Sequence, residues 1–241
     1  MESNLDSGRT VPRMNTMKAP VLLLALSVAC VASSPAQETK AAGDPDPAYT
    51  KVITERAEKI VATLNLTDPA KAGRVRDLVA QQYRSLRAIH DPLESQAKAA
   101  KAATAGEKEA AEANLKAAQA DAKVRLDKLH AEYLARLATE LSTDQVDKVK
   151  DGMTYGIVQV TYNTYLQMYP QLTEEQKTKI LSYLVEARET AMDLGSSDAK
   201  HQWFGKYKGR INNYLSSAGY DLKAASKKPT AAPTAPDAAV K

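Results

Sequence analysis

The stretch TYGIVQVTYNTYLQMYP, residues 154–170, decides whether this fold contains a β-sheet. Its β-branched residues favour a strand, but a single strand would have no partner elsewhere in the chain. A helical period places six side chains on one face: Tyr155, Val158, Tyr162, Tyr165, Leu166 and Tyr169. A strand period places only four there: Val158, Val160, Tyr162 and Leu166. The longer match favours a helix, and a strand is the alternative.

The composition of the whole chain also favours an all-α fold. Ala, Lys and Glu are abundant, and there are only 10 Gly among 241 residues, which is typical of helices rather than of a β-sandwich. The sequence predicts a helical bundle of about six or seven helices in one domain, residues 47–222. The net charge of +4 is mild for a nucleic-acid-binding protein, so we expect no nucleic-acid partner.

The N-terminal region has the pattern of a secretory signal. Basic residues precede an apolar run from Ala19 to Ala32, which is too short to span a bilayer, and Ser34–Ala36 fits a small-x-small cleavage site. We therefore predict a signal peptide over residues 1–36 and a linker over residues 37–46. The protein is expected to be exported, to the periplasm or the extracellular space. A buried N-terminal helix is the alternative.

The single cysteine, Cys30, lies inside the predicted signal peptide. Cleavage after Ala36 would leave a mature chain with no thiol, which excludes disulfides, thiol catalysis and cysteine-ligated metal. The segment LSVAC resembles a lipoprotein cleavage box, except that Ser27 stands where Leu is usual. Lipidation of Cys30 is thus the alternative to a soluble protein, and only then is a membrane partner expected.

Two further signals bound the first helices. Asp46-Pro47 and Thr67-Asp68-Pro69 each combine a capping residue with a proline of the first turn, so each predicts a helix start. His90-Asp91-Pro92 predicts the end of the second helix.

At the other end of the chain, residues 223–241 consist of Ala, Pro and Lys with little else, and they are predicted to be disordered because they can bury little apolar area.

The segment from Leu93 to Thr139 is long, charged and rich in alanine. Its apolar residues recur at steps of three or four, which predicts a long helix or helical hairpin of coiled-coil type. We expect a break at Gly106, where Thr104 and Glu107 are spaced for a capping box.

Three helix starts share a pattern, LTDPA at Leu66, LSTDQ at Leu141 and LTEEQ at Leu172. Ser142–Gln145 and Thr173–Gln176 are spaced as full capping boxes, whereas Thr67 has no Gln partner. The pattern resembles the LTxxQ motif of the Spy-like periplasmic chaperones. That resemblance implies a secreted, helical protein without catalytic groups that cradles unfolded protein clients on a concave basic and apolar surface.

A longer resemblance covers about Tyr49 to Leu222. It is carried by DGMTYGIVQVTYNTYLQMYPQLTEEQKTKI, EARETAMDLGSSDAKH and FGKYKGRINNYLSSAGYDL, all after Lys150. These stretches resemble a family of secreted bacterial proteins catalogued as domain of unknown function 3826, found among bacteria that digest plant polysaccharides. The resemblance implies no established activity, but it implies sugar binding, with an oligosaccharide or polysaccharide as partner.

The segment HQWFGKYKGRINNYLSSAGYDL, residues 201–222, holds the only Trp and the only Phe of the chain. Arg and Asn side chains could hold hydroxyls or a carboxylate, and Trp or Tyr could offer a flat face to a sugar ring. If residues 186–193 and 201–222 form a hairpin about Gly195, acids of the first helix meet bases of the second. The candidate ligand-binding residues are Glu186, Arg188, Glu189, Asp193, His201, Trp203, Tyr207, Arg210, Asn212, Asn213 and Tyr214. A structural ion-pair network is the alternative for the charged ones.

Gly205 and Gly209 form a GxxxG step inside the same helix, where each Gly costs about 1 kcal/mol relative to Ala. We expect close approach by another helix, with approach by a ligand as the alternative.

No catalytic constellation is apparent in the sequence. His90, His130 and His201 are isolated, and there is no HExxH, no phosphate-binding Gly loop and no nucleophile elbow. We expect His90 at a helix end and His130 on a solvated face, with no metal, no cofactor and no enzymatic activity. The sequence thus predicts an exported, non-enzymatic carbohydrate-binding protein linked to plant polysaccharide use. The alternative is a Spy-like periplasmic chaperone for unfolded clients.

Overall fold

The computed structural model describes residues 46–221, which form seven α-helices and no strand. The helices are α1 (Pro47–Ala62), α2 (Pro69–Ala102), α3 (Lys108–Glu140), α4 (Thr143–Met153), α5 (Ile157–Met168), α6 (Glu174–Ala191) and α7 (Ser197–Ser217). The all-α prediction is confirmed. The predicted signal peptide, Cys30, nearly all of the linker, Leu222 and the C-terminal tail lie outside the described residues.

Within residues 154–170, Ile157–Met168 form a helix, as the longer period indicated, but a break at the start of the segment precedes it. Tyr155 and Gly156 both have left-handed backbone conformations, with φ of 58° and 64°, and they separate α4 from α5. In α5 the side chains of Val158 and Tyr165 are buried, whereas Val160 is 49% exposed. The β-branched residues therefore fit a helix because one face is buried and the other is not.

The expected stop at Pro92 is wrong, because α2 runs through Pro92 to Ala102. A proline inside a helix removes one backbone hydrogen bond and usually kinks or breaks it. Here α2 packs against α3, and Leu86 before Pro92 and Ala100 after it are both buried. Tertiary packing of the long α2–α3 hairpin thus outweighs the local cost of the proline.

The loop between α2 and α3 contains Gly106, as predicted, but not the predicted capping box. Thr104 Oγ1 donates to Glu107 Oε2 at 2.9 Å, so these side chains bond each other rather than backbone amides. At the start of α2 the cap is Asp68, whose Oδ1 accepts from the Ala70 amide at 2.8 Å, and not Thr67.

The other two starts of the repeated pattern are capping boxes, as predicted. Ser142 and Gln145 bond each other's backbone amides at the start of α4, and Thr173 and Gln176 do the same at the start of α6. The motif therefore acts in helix initiation at both sites.

The helices bury two hydrophobic cores. The first lies among α1–α4 and the second among α5–α7. Met192, just after α6, is fully buried in the first core, and α4 packs against α6. Helix α6 thus connects the two cores. No helix within residues 46–221 is long and apolar enough to cross a membrane.

The same substitution, Gly to Ala, is expected to have opposite effects on stability at two glycines of this fold. A Cβ at Gly152 in α4 would lie 2.7 Å from Ile60 Cγ1, and Ile60 is buried and stiff at χ1. A Cβ at Gly205 in α7 would have no neighbour within 4 Å. We expect Gly152→Ala to lower the free energy of unfolding by about 1–3 kcal/mol and Gly205→Ala to raise it by up to about 1 kcal/mol. Urea denaturation measures both, and equal effects would contradict this packing.

Candidate functional site

Helices α6 and α7 form the expected hairpin, and one acid of α6 meets one base of α7. Glu186 Oε1 accepts hydrogen bonds from Tyr207 Oη at 2.8 Å and from Arg210 Nη1 at 3.0 Å. These two bonds lower the pKa of Glu186. The Arg210 guanidinium carbon also lies 4.6 Å from the centre of the Tyr183 ring and 4.8 Å from that of Tyr207. Arg210 is therefore held in place by one carboxylate and two rings.

Trp203 and Tyr214 extend this group along α7. The Trp203 ring is half-buried and lies 5.8 Å from the Tyr207 ring, with Lys206 Nζ 5.0 Å from its centre. Tyr214 meets Tyr183 edge-on at 6.4 Å. We call this set the α7 aromatic surface; its members are Tyr183, Glu186, Trp203, Tyr207, Arg210 and Tyr214. Tyr183 is the member that the sequence reasoning missed, although it lies one helical turn before Glu186.

Gly205 and Gly209 of α7 are exposed, and the helical period places them on a different face from Trp203 and Arg210. A Cβ at either position would have no neighbour within 4 Å, so no other helix of the described chain packs closely there. The expectation of close helix packing at the GxxxG step is wrong. The two glycines instead leave the α7 backbone open to solvent.

The other charged candidates of α6 face α3 and α4 rather than α7. Arg188 is only 5% exposed, and its two terminal nitrogens bond Asp151 at 2.8 Å and Asp147 at 2.7 Å. Lys150 Nζ donates to Glu189 Oε2 at 2.7 Å. Arg188 and Glu189 thus belong to a network between α4 and α6, which we call the junction network. For these two residues, the alternative of a structural ion-pair network accounts for the contacts.

Asp193 adds two histidines to the junction network. Its Oδ2 lies 2.6 Å from His130 Nδ1, and its backbone oxygen lies 2.7 Å from His90 Nε2. His130 is therefore half-buried in a charged contact, so its expected place on a solvated face is wrong. His90 lies within α2 and not at a helix end, because α2 continues past it. Gly195 allows this contact, since a Cβ there would lie 2.7 Å from the His90 ring.

His130 makes the stability of the junction dependent on pH. The hydrogen bond to Asp193 raises the pKa of His130, with further support from Asp193 and Glu189 and opposition from burial and from Lys150. The contribution of this contact is complete below the unfolded-state pKa of about 6.5 and is lost as pH rises through the higher folded-state pKa. We expect the stability difference between the wild type and His130→Gln to shrink between pH 6 and pH 9. Urea denaturation of both proteins across this range measures it, and a constant difference would contradict the assignment.

The three remaining candidates lie apart from the Glu186–Arg210 pair. Asn212 faces α5, where its Oδ1 accepts from Tyr165 Oη at 2.8 Å. Asn213 is exposed near the end of α7. His201 is exposed near the start of α7, and its ring stacks on that of Tyr155 at 5.7 Å.

A cavity at the start of α7 was not predicted from the sequence. It measures about 190 Å³ and lies among α1, α2, the α4–α5 break and the α6–α7 turn. Its walls include Arg56, Arg87, Tyr83, Tyr155 and Lys200. Lys200 is the buried charge among them, at 4% exposure. We call this cavity the Lys200 pocket.

Within residues 46–221, no group of three or more His, Cys, Asp or Glu side chains is arranged to hold a metal ion. A comparison with curated proteins finds no match. The family model described as "Protein of unknown function (DUF3826)" matches residues 50–231, which is most of the chain. The protein belongs to this family, as the stretches after Lys150 indicated.

Proposed function

We propose that the protein is a non-enzymatic carbohydrate-binding protein, exported and linked to plant polysaccharide use, and that it binds saccharides through the α7 aromatic surface. The observation that carries this proposal is the fixed position of Arg210 between Glu186 and two tyrosine rings. A guanidinium held in advance loses little entropy when it donates to a hydroxyl or a carboxylate. Glu186 Oε2 is a further acceptor for a sugar hydroxyl.

The neighbouring residues suit a saccharide ring. Trp203 is partly exposed and offers apolar ring surface beside Tyr207. Lys206, Lys208 and Arg210 are exposed on the same helix, which makes it basic and favours acidic over neutral saccharides.

The single tryptophan makes the proposal directly measurable. Trp203 is the only Trp of the chain, so its fluorescence reports on this surface alone. We expect oligogalacturonate to change the Trp203 emission of the wild type and to bind more tightly than a neutral xylo-oligosaccharide. Calorimetry should show that Arg210→Ala lowers the affinity at least tenfold.

The matched control is Arg76→Ala, since Arg76 is a partly exposed arginine of α2 paired with its neighbour Asp77. This variant should bind as the wild type does. If no saccharide of either class binds the wild type, or if Arg210→Ala binds equally well, the proposal fails.

The alternative function, a chaperone for unfolded clients, predicts a different result. A denatured client protein should then aggregate less in the presence of a molar excess of the wild type, with no requirement for Arg210. The two repeated motifs that suggested this alternative act as capping boxes. Saccharide binding without suppression of aggregation would reject it.

Export has its own test. Cleavage after Ala36 predicts a mature chain that begins at Gln37, whereas lipidation predicts a chain that begins at a modified Cys30. Mass spectrometry of the protein from its native host distinguishes the two. A full-length chain with its N-terminal region intact would contradict both.

A further inference from the structure

The Lys200 pocket contains a buried positive charge that has no carboxylate bonded to it. Lys200 Nζ donates to two backbone oxygens, those of Met153 at 2.9 Å and Met192 at 3.4 Å. An ammonium group has three donors, so one is left for another acceptor. Within residues 46–221, Lys200 forms no ion pair. Burial lowers the pKa of Lys200 to about 8, so the amine is still largely protonated at pH 7.

The other charges of the pocket add to this positive field. Arg56 of α1 lines the pocket and forms no ion pair with any described residue. Arg87 also lines it, bonded to Asp91 at 3.0 Å and to Asp46 at 2.8 Å. The lining has three cations, Arg56, Arg87 and Lys200, and one anion, Asp91; from outside the lining, Asp46 pairs with Arg87 and the charge of Asp193 acts on Lys200. Within residues 46–221, Arg56 and Lys200 nevertheless form no ion pair, which favours an anion beside them.

The remaining walls supply hydrogen-bond donors and aromatic rings. Ser196 and Ser197 also line the pocket, and they lie at the start of α7, a 21-residue helix, near the positive end of its dipole. Tyr49 and Tyr83 also line the pocket. Tyr155, held in a left-handed conformation with φ of 58°, closes another side. Such strain in a bulky residue recurs at ligand sites, where the surrounding structure maintains it.

We propose that the Lys200 pocket is a binding site for a small hydroxylated carboxylate about the size of one uronic acid. The carboxylate takes the free donor of Lys200 and the guanidinium of Arg56. The ring and hydroxyls lie against the tyrosines and the start of α7. The volume of about 190 Å³ suits a single small ring and not an oligosaccharide. This site is separate from the α7 aromatic surface and does not depend on the function proposed for it.

The test uses galacturonic acid as the probe and galactose as its neutral counterpart. Calorimetry on the full chain should show that the wild type binds galacturonic acid and not galactose. We expect Arg56→Gln to weaken binding at least tenfold and Lys200→Met to abolish it. Trp203→Ala and Arg210→Ala should bind the monosaccharide acid as the wild type does, so failure of this site and failure of the saccharide surface give different results.

Arg56→Gln is expected to fold normally, because the Arg56 side chain is exposed and its replacement leaves no buried group unpaired. A loss of binding in this variant therefore cannot be attributed to misfolding. Equal binding of galactose and galacturonic acid overturns the proposal, as does binding that is unchanged in both variants. Inorganic phosphate is a third probe. If phosphate binds in a Lys200-dependent way and galacturonic acid does not, the assignment to a carboxylate is overturned.

Discussion

Phe204→Ala is expected to lower the free energy of unfolding by about 3–5 kcal/mol. Phe204 is the only Phe of the chain, it is 1% exposed, and it lies in the second core with Ile180, Leu184 and Ile211. Its removal would lose the transfer free energy of the ring and leave a cavity that the helices cannot fill. A loss of this size is a large part of the total stability of a typical domain. Urea denaturation followed by far-UV circular dichroism measures it.

The neighbouring Trp203→Ala is the matched control. The Trp203 ring is half-buried, so water already covers part of the surface that the substitution removes. We expect a loss clearly smaller than that of Phe204→Ala, although the indole is the larger ring. Equal losses would mean that Trp203 belongs to the core rather than to the surface. The pair therefore separates the role of α7 in the fold from its proposed role in binding.

Arg188→Ala is expected to lower the free energy of unfolding by about 2–4 kcal/mol. Its guanidinium is the cation that Asp147 and Asp151 share, and Glu189 lies 3.4 Å away. Without it, Asp147 and Asp151 lose their shared cation where α4 meets α6, and Lys150 remains bonded to Glu189. Both aspartates are partly exposed and can recover some hydration, so we place the loss below that of a fully buried pair.

Two further variants interpret this result. Arg188→Lys keeps the charge but cannot reach both aspartates in the same geometry, so an intermediate loss is expected. Arg74→Ala is the comparison on the protein surface. Arg74 also donates two hydrogen bonds to acids, but both go to the carboxylate of Glu140. The effect of Arg74→Ala should be much smaller. If Arg188→Ala were as mild as Arg74→Ala, the junction network would not hold the two cores together.

The junction network has a consequence for function. It accounts for the contacts of Arg188 and Glu189, so these residues are occupied in joining α6 to α4. The α7 aromatic surface is thereby reduced to one acid, one base and four aromatic residues. Of the four aromatic residues of α7, Phe204 and Tyr207 are buried in the second core, whereas Trp203 and Tyr214 pack against it and remain partly exposed. A variant that tests binding must therefore change an exposed or partly exposed residue of the α7 aromatic surface.

The hairpin contact between Glu186 and Arg210 could be predicted from the sequence, because both lie at helical spacing on either side of the turn at Gly195. The contacts of Glu189 and Asp193 could not be predicted from the sequence. They follow Glu186 by one and two turns, yet they contact α3 and α4. Residues on one face of a helix can meet different neighbours when a second helix ends along that face. The order in which helices pack is not contained in their periodicity.

The sequence alone determined the helices and most of their starts. Asp46, Ser142 and Thr173 cap amides within three residues of themselves, and the period of residues 154–170 is a property of the segment itself. Such short-range hydrogen bonds and face patterns act before any tertiary contact forms. Only the tertiary structure decided the passage of α2 through Pro92, the contact of His90 with a residue 103 positions away, and the burial of Lys200. Each depends on which helices pack together, because packing energy between distant segments can exceed a local preference of a few kcal/mol.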